Sequence, residues 1–217
     1  MIVDRCTKPD PSQRFGGVKE LRDAFDSIVA AKSETTTGEK IMALLARAIA
    51  DGNLSTNKAR EFADLIGAAR DDTDLLHDVC LGLPAPAFET LWRIKPLIAK
   101  MLIKVFTSQV TSQGWPFSYT DKIGQACKQL HDATADHEIR GMLIAAVVQV
   151  GISHNRWSVM DVAADLLSRK KEPWEGLAVA HALAKFRGLL VHLKDRLTVH
   201  RLDPAIRELF AKGRRTD

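Results

Sequence analysis

Trp157-Ser-Val-Met-Asp-Val-Ala-Ala-Asp-Leu-Leu167 and Trp174-Glu-Gly-Leu-Ala-Val-Ala-His-Ala-Leu-Ala184 repeat one apolar spacing seventeen residues apart. Trp157, Met160, Val162, Ala163 and Leu166 align with Trp174, Leu177, Val179, Ala180 and Leu183. Apolar positions at this rhythm mark amphipathic helices, because residues three and four apart share a helix face. Each segment is therefore expected to be a helix that opens with a tryptophan wedged into the core.

The same rhythm extends outward through most of the chain. Leu21, Ala24, Phe25, Ile28 and Val29 predict a helix over 18–32. Ile41, Leu44, Leu45, Ala48 and Ile49 predict a second, stopped by Asp51-Gly52. Ser55 or Thr56 caps a third, with Ala59, Phe62, Ala63, Ile66 and Ala69 inward, and Asp71–Asp74 offers cap oxygens to a short helix over 75–81. Residues 87–110 are apolar on nearly every side, as expected of a central helix, and Pro96 should kink or divide it. Further helices are expected at 119–131, 136–150, 157–169, 174–198 and 203–212. No run alternates with period two, so the fold class is all-α, an irregular bundle of about nine to ten helices.

Composition agrees. Hydrophobic residues make up 46% and charged residues 27% of 217, the balance of a globular chain rather than a disordered one. Aromatics are only 6%, with a single tyrosine, which favours helix over sheet. Pro9, Pro11 and Gly16 suggest a flexible arm over 1–16, ahead of helical regions 17–112 and 113–217, with Thr111–Ser118 as the boundary. The charged start lacks the apolar run of a signal peptide, and the greasy stretch Leu97–Phe106 is short and interrupted by lysines. Cys6, Cys80 and Cys127 are widely spaced, with no Cys-x-x-Cys pair. Together these point to a cytoplasmic chain with reduced thiols, no membrane span and no cofactor.

The two tryptophan-led segments also resemble adjacent helices of a HEAT-type array, in which antiparallel helix pairs stack. That resemblance covers about a quarter of the chain and implies a helical array in the C-terminal half.

Charge is uneven. Residues 1–112 balance to zero and residues 113–167 carry −2, while residues 168–217 hold 12 basic against 6 acidic side chains. On a continuous α-helix from Trp174 to Thr198, His181, Lys185, His192 and Arg196 would form one outward stripe. Arg187 and Lys194 would border the apolar face, and His200, Arg201, Arg207, Lys212, Arg214 and Arg215 follow. Such a row suits phosphate contacts, the sequence-independent part of nucleic-acid binding, or an acidic protein surface. Lys185, His192, Lys194, Arg196, Arg201 and Arg207 are the candidate binding residues, and the alternative is a solvated face that keeps the chain soluble. With Trp157 and Trp174 assigned to the core, few aromatics remain to stack bases, so backbone contact is the expected mode. Arg93, Lys100 and Lys104 form a weaker stripe, for which the acidic run Asp71–Asp78 is a candidate partner.

Two patterns carry catalytic alternatives. Leu75-Leu-His-Asp-Val79 and Gln129-Leu-His-Asp-Ala133 each resemble the metal-binding step of the HD phosphohydrolases. That resemblance implies His77, His131 and Asp132 as metal ligands, with Asp195 or Asp203 completing the set. The plainer reading makes His131, Asp132, Asp136 and His137 a turn and helix cap. His137-Glu138 opens like a zinc-protease motif, but Gly141 stands where the second histidine is needed. Arg187-Gly-Leu-Leu-Val-His192 resembles the Arg/His pair of HEPN ribonucleases and implies Arg187 and His192 acting together on a phosphate; Gly188 departs from that family's usual polar residue. The leading expectation is a non-enzymatic binding or adaptor protein, with these enzymes, or a scaffold subunit of an oligomer or larger assembly, as alternatives. An exposed Trp115 or Phe117 would favour the scaffold.

Overall fold

The computed structural model describes residues 2–33 and 35–211. Among these, twelve α-helices and no strand are present. The chain is all-α; beyond the nine to ten helices expected there is a short helix near the start, and Pro96 divides the 87–110 segment in two. The cations Lys212, Arg214 and Arg215, and the side chains of Ile28 and Val29, lie outside the described residues.

The chain divides into two compact units, residues 1–40 and 41–217. In the first, residues 1–16 carry α1 (Ile2–Cys6) and a 3-10 turn at Pro11–Gln13, followed by α2 (Val18–Ser33). Arg5 pairs with Glu20 and lies 4.4 Å over the Phe15 ring. Thr36 and Glu39 form a reciprocal capping box, with Thr36 N–H donating to Glu39 Oε2 (2.7 Å) and Glu39 N–H to Thr36 Oγ1 (3.2 Å). That box opens α3 (Thr37–Asp51).

In the second unit, Gly52 takes φ +69° to turn the chain after α3. Ser55 caps α4 (Thr56–Ala68) and Asp72 caps α5 (Thr73–Gly82), as their side-chain chemistry predicts. Pro84 separates α5 from α6 (Ala85–Ile94), whose first turn takes in Pro86, and Pro96 starts α7 (Pro96–Ser112). Then follow α8 (Phe117–Asp132), α9 (His137–Ser153), α10 (Trp157–Ser168), α11 (Pro173–Leu183) and α12 (Pro204–Ala211). The 111–118 connection joins packed elements, since α5 packs on α8 and α7 on α9.

The most enclosed helix is α9, which packs on α7, α8, α10 and α11. Ten of its residues are buried, from Ile139 to Gly151, so it has no polar face. Gly141 permits its closest approach to α11: an added Cβ would lie 2.8 Å from the Ala178 carbonyl oxygen. Helix–helix contact thus explains the glycine that interrupts the zinc-protease motif. Lys100 and Lys104 of α7 meet the start of α9 instead of Asp71–Asp78: Lys100 lies 2.5 Å from Glu138 and Lys104 3.3 Å from it.

Two expectations for the C-terminal half are overturned. The tryptophans are not core wedges, because Trp157 is 68% exposed and Trp174 73%. The buried side of α10 is Val159, Met160, Ala163, Ala164, Leu166 and Leu167, and at 100° per residue its centre lies about 105° from Trp157. On α11 the buried side is Glu175, Gly176, Val179 and Leu183, centred about 155° from Trp174.

The second correction concerns 174–198, which is not one α-helix. After α11 the chain continues as a 3-10 helix over Ala184–Arg196, with non-helical torsions at Phe186 (φ −106°, ψ 15°). A 3-10 helix turns about 120° per residue, so side chains three apart eclipse and the four-residue stripe dissolves. Beyond Phe186, Gly188, Val191 and Lys194 share a row, while Leu190 and Leu193 form the buried one. Among the described residues one stretch, Pro173–Arg196, is long and apolar enough to cross a membrane by length and composition, with 28% of it buried.

Candidate functional site

The α9–α10 connection builds one wall of an open cleft. Helix α9 ends in a Schellman motif: Asn155 N–H donates to Ile152 O (3.0 Å) and Arg156 N–H to Gly151 O (2.8 Å). The motif requires a left-handed residue, and Asn155 supplies it at φ 48°. Arg156 then anchors the start of α10. Its Nε donates to Asp121 Oδ1 (2.9 Å), a second nitrogen binds Oδ2, and the guanidinium lies 4.1 Å over Phe117. The Arg156 pair and the Ser158 hydroxyl hold the Asp121 carboxyl below its ordinary pKa.

Trp157, next in sequence, projects from this anchored turn. The cleft has a volume of about 630 Å³ and is lined by Ile152, Asn155, Trp157, Met160, His192, Asp195 and Arg196. Arg196 pairs with Asp161, one turn beyond Trp157, and its guanidinium lies 5.6 Å from the Trp157 ring. An indole face, an imidazole, a guanidinium, a carboxylate and an amide thus converge over an apolar floor.

The remaining binding candidates lie apart from this cleft or beside it. Lys194 and Arg207 line a second depression with Val199, Phe210 and Ala211. Lys185 lies 4.7 Å over Phe186, and Arg207 Nη1 donates to the His200 carbonyl (3.3 Å). Among the described residues Lys170, Lys185, Lys194, Arg201 and Arg207 form no ion pair with an acid. Arg169, by contrast, is held by Asp132 (2.5 Å) and Asp165 (2.7 Å). Lys171 donates to the Leu166 and Arg169 carbonyls (2.7 and 3.0 Å), and burial draws its pKa below that of an ordinary lysine.

Of the residues in the catalytic alternatives, His77 lies on α5, and His131 and Asp132 lie on α8. His77 is 3% exposed and stacks on Trp115 (4.7 Å, 9°), with Phe106 and Tyr119 alongside. Both of its ring nitrogens are buried without a hydrogen-bond partner. Trp115 is pinned there, with Nε1 donating to Val110 O (3.0 Å) and its backbone N–H to His154 Nε2 (2.9 Å). Phe117 alone of the two loop aromatics is strongly exposed, at 58%.

His131 bonds Asp132 through Nδ1 (2.9 Å), and Asp136 caps α9 through Ile139 N–H (2.9 Å). Asp203 rests on Gly176 and accepts from Ala205 N–H (2.9 Å), while Asp195 lines the cleft. Among the described residues no group of three or more His, Cys, Asp or Glu is placed to hold a metal. His192 lines the Trp157 cleft and Arg187 does not; Arg187 Nε and Nη2 are buried without partners. Within one chain that pair does not share a cleft.

His77 sets a pH dependence. Burial lowers its pKa, against the opposing pull of Asp78 and Asp74, and burial lowers that of His131 too. An imidazole kept neutral in the folded state gains its proton first in the unfolded chain, from about pH 6.5 downward. Stability is therefore full above that value and falls as the pH drops through it. Carboxylates held low by cations, such as Glu138 and Asp165, act only below about pH 4.5. The melting temperature is expected to fall between pH 7 and 5, and His77→Phe to flatten that slope while keeping the ring stack. An unchanged slope in thermal melts of the variant would remove His77 from the account.

Comparison with family models, with curated proteins and with solved structures finds no match for this chain.

Proposed function

We propose that this is a non-enzymatic nucleic-acid-binding protein whose C-terminal surface contacts the phosphate backbone. The observation that carries the reading is the charge surplus of residues 168–217 together with the state of its members. Arg169, Lys171 and Arg196 are engaged with acids or carbonyls. Lys170, Lys185, Lys194, Arg201 and Arg207 supply cations without acidic partners among the described residues. Cations of that kind gain most from meeting phosphates, because nothing has to be broken first and condensed counterions are released. The exposed Trp157 supports nucleic acid over an acidic protein surface, since it adds a stacking platform.

The test is fluorescence anisotropy of a labelled oligonucleotide. Binding at about 50 mM salt, and release at about 500 mM, are expected of phosphate contacts. No binding at the lower salt, or equal binding at both, excludes the reading.

A further inference from the structure

We infer that the cleft between α10 and the 3-10 segment accepts one unpaired base of a single-stranded nucleic acid, stacked on Trp157. This deepens the phosphate-binding reading and rests on it. The first observation is that Trp157 is not fixed by the core. Its ring is open on a rigid mount, held by the Schellman turn on one side and by the Arg156–Asp121 pair on the other. An exposed indole at the edge of a cleft lined by polar groups offers a flat face for stacking.

The second observation is the distribution of polar groups around that ring. His192 and Arg196 line the cleft with nitrogen donors, and Asn155 and Asp195 line it with an amide and a carboxylate. Asp161 engages one part of the Arg196 guanidinium and leaves it further N–H donors for a phosphate oxygen. A carboxylate repels phosphate but accepts from the N–H groups of a base edge. Asp195 would then take the N–H edge of a base, and Arg196 the phosphate. A flat apolar ring with N–H donors on one edge and an anion on its tether matches this set. A base paired within a duplex cannot reach the indole face, so the site selects single strands.

The test follows Trp157 fluorescence in a Trp174→Phe background, which removes the other strongly exposed indole. The probes are a strand of about 12 nucleotides made as RNA and as DNA, the same strand without bases, and inorganic polyphosphate. Both base-containing strands should quench Trp157, whereas the abasic strand and polyphosphate should bind without quenching it. Trp157→Ala should weaken the base-containing strands about tenfold, Trp157→Phe should restore most of that affinity, and polyphosphate binding should stay unchanged. Trp157 is exposed, so neither substitution opens a hole in the core. Quenching by the abasic strand, or equal losses for all probes, overturns the base site while phosphate binding stands. Failure of every probe to bind overturns both readings.

Discussion

Replacing Arg140 with alanine is expected to destabilise the fold by about 3 kcal/mol, lowering the melting temperature by about 6–12 °C. Arg140 Nη1 lies 2.9 Å from Glu175 Oε2, and its Nε donates to the Thr134 carbonyl (2.7 Å). Glu175 is almost fully buried in the first turn of α11, so the pair joins α9 to α11 where Gly141 lets the helices touch. Removing the guanidinium leaves a buried carboxylate whose remaining neighbours are the imidazole of His131, 3.9 Å away and with its pKa lowered by burial, and Lys171. Most of the cost comes from that stranded charge rather than from the pair's own attraction, which desolvation largely offsets. The double variant Arg140→Met, Glu175→Leu should therefore recover most of the loss. Thermal or urea unfolding decides it: a single-variant loss under about 1 kcal/mol would show that Glu175 is not stranded.

Reversing three of the unpaired cations together, Lys185→Glu, Lys194→Glu and Arg201→Glu, is expected to weaken oligonucleotide binding at least about 100-fold at moderate salt. Each substitution removes a phosphate contact and adds a repulsive charge, while side chains without ion pairs, exposed at Lys185 and Arg201 and half-buried at Lys194, cost little stability when changed. Arg196 is a poor choice for this series, because its pairing with Asp161 and its place beside Trp157 would mix charge with structure. Anisotropy titrations read the loss, with far-ultraviolet circular dichroism to confirm folding. Affinity within about threefold of the original chain would place the contact elsewhere.

The sequence showed its helices plainly where the local chemistry was strong. Ser55, Asp72, Asp136 and Pro96 mark ends that the structure places at the same residues. The tryptophans misled because their size was read as burial. Weighing the direction of Val159–Met160–Ala163 and of Glu175–Gly176–Val179 puts both indoles outside. That direction was available in the sequence, although it needs Glu175 to be accepted as an inward residue, and the partner that makes this tolerable, Arg140, is 35 positions away.

The change from α to 3-10 geometry after Leu183 had no such signal, since Ala184–Arg196 keeps an ordinary helical composition. His192 and Arg196 line the cleft, while Lys194 falls on another row and Lys185 lies before the break at Phe186. Asn155 was missed for a related reason. Its left-handed torsion follows from how α9 and α10 meet, with Gly151 3.0 Å from the Met160 nitrogen by its would-be Cβ.

The most direct measurement is the slope of log affinity against log salt for a single strand, taken on the original chain and on the triple variant. Five phosphate contacts from Lys170, Lys185, Lys194, Arg201 and Arg207 predict a slope of about −3.5, reduced in magnitude by about 2 when three are reversed. A flat dependence, or the same slope in both proteins, would contradict phosphate binding by this surface.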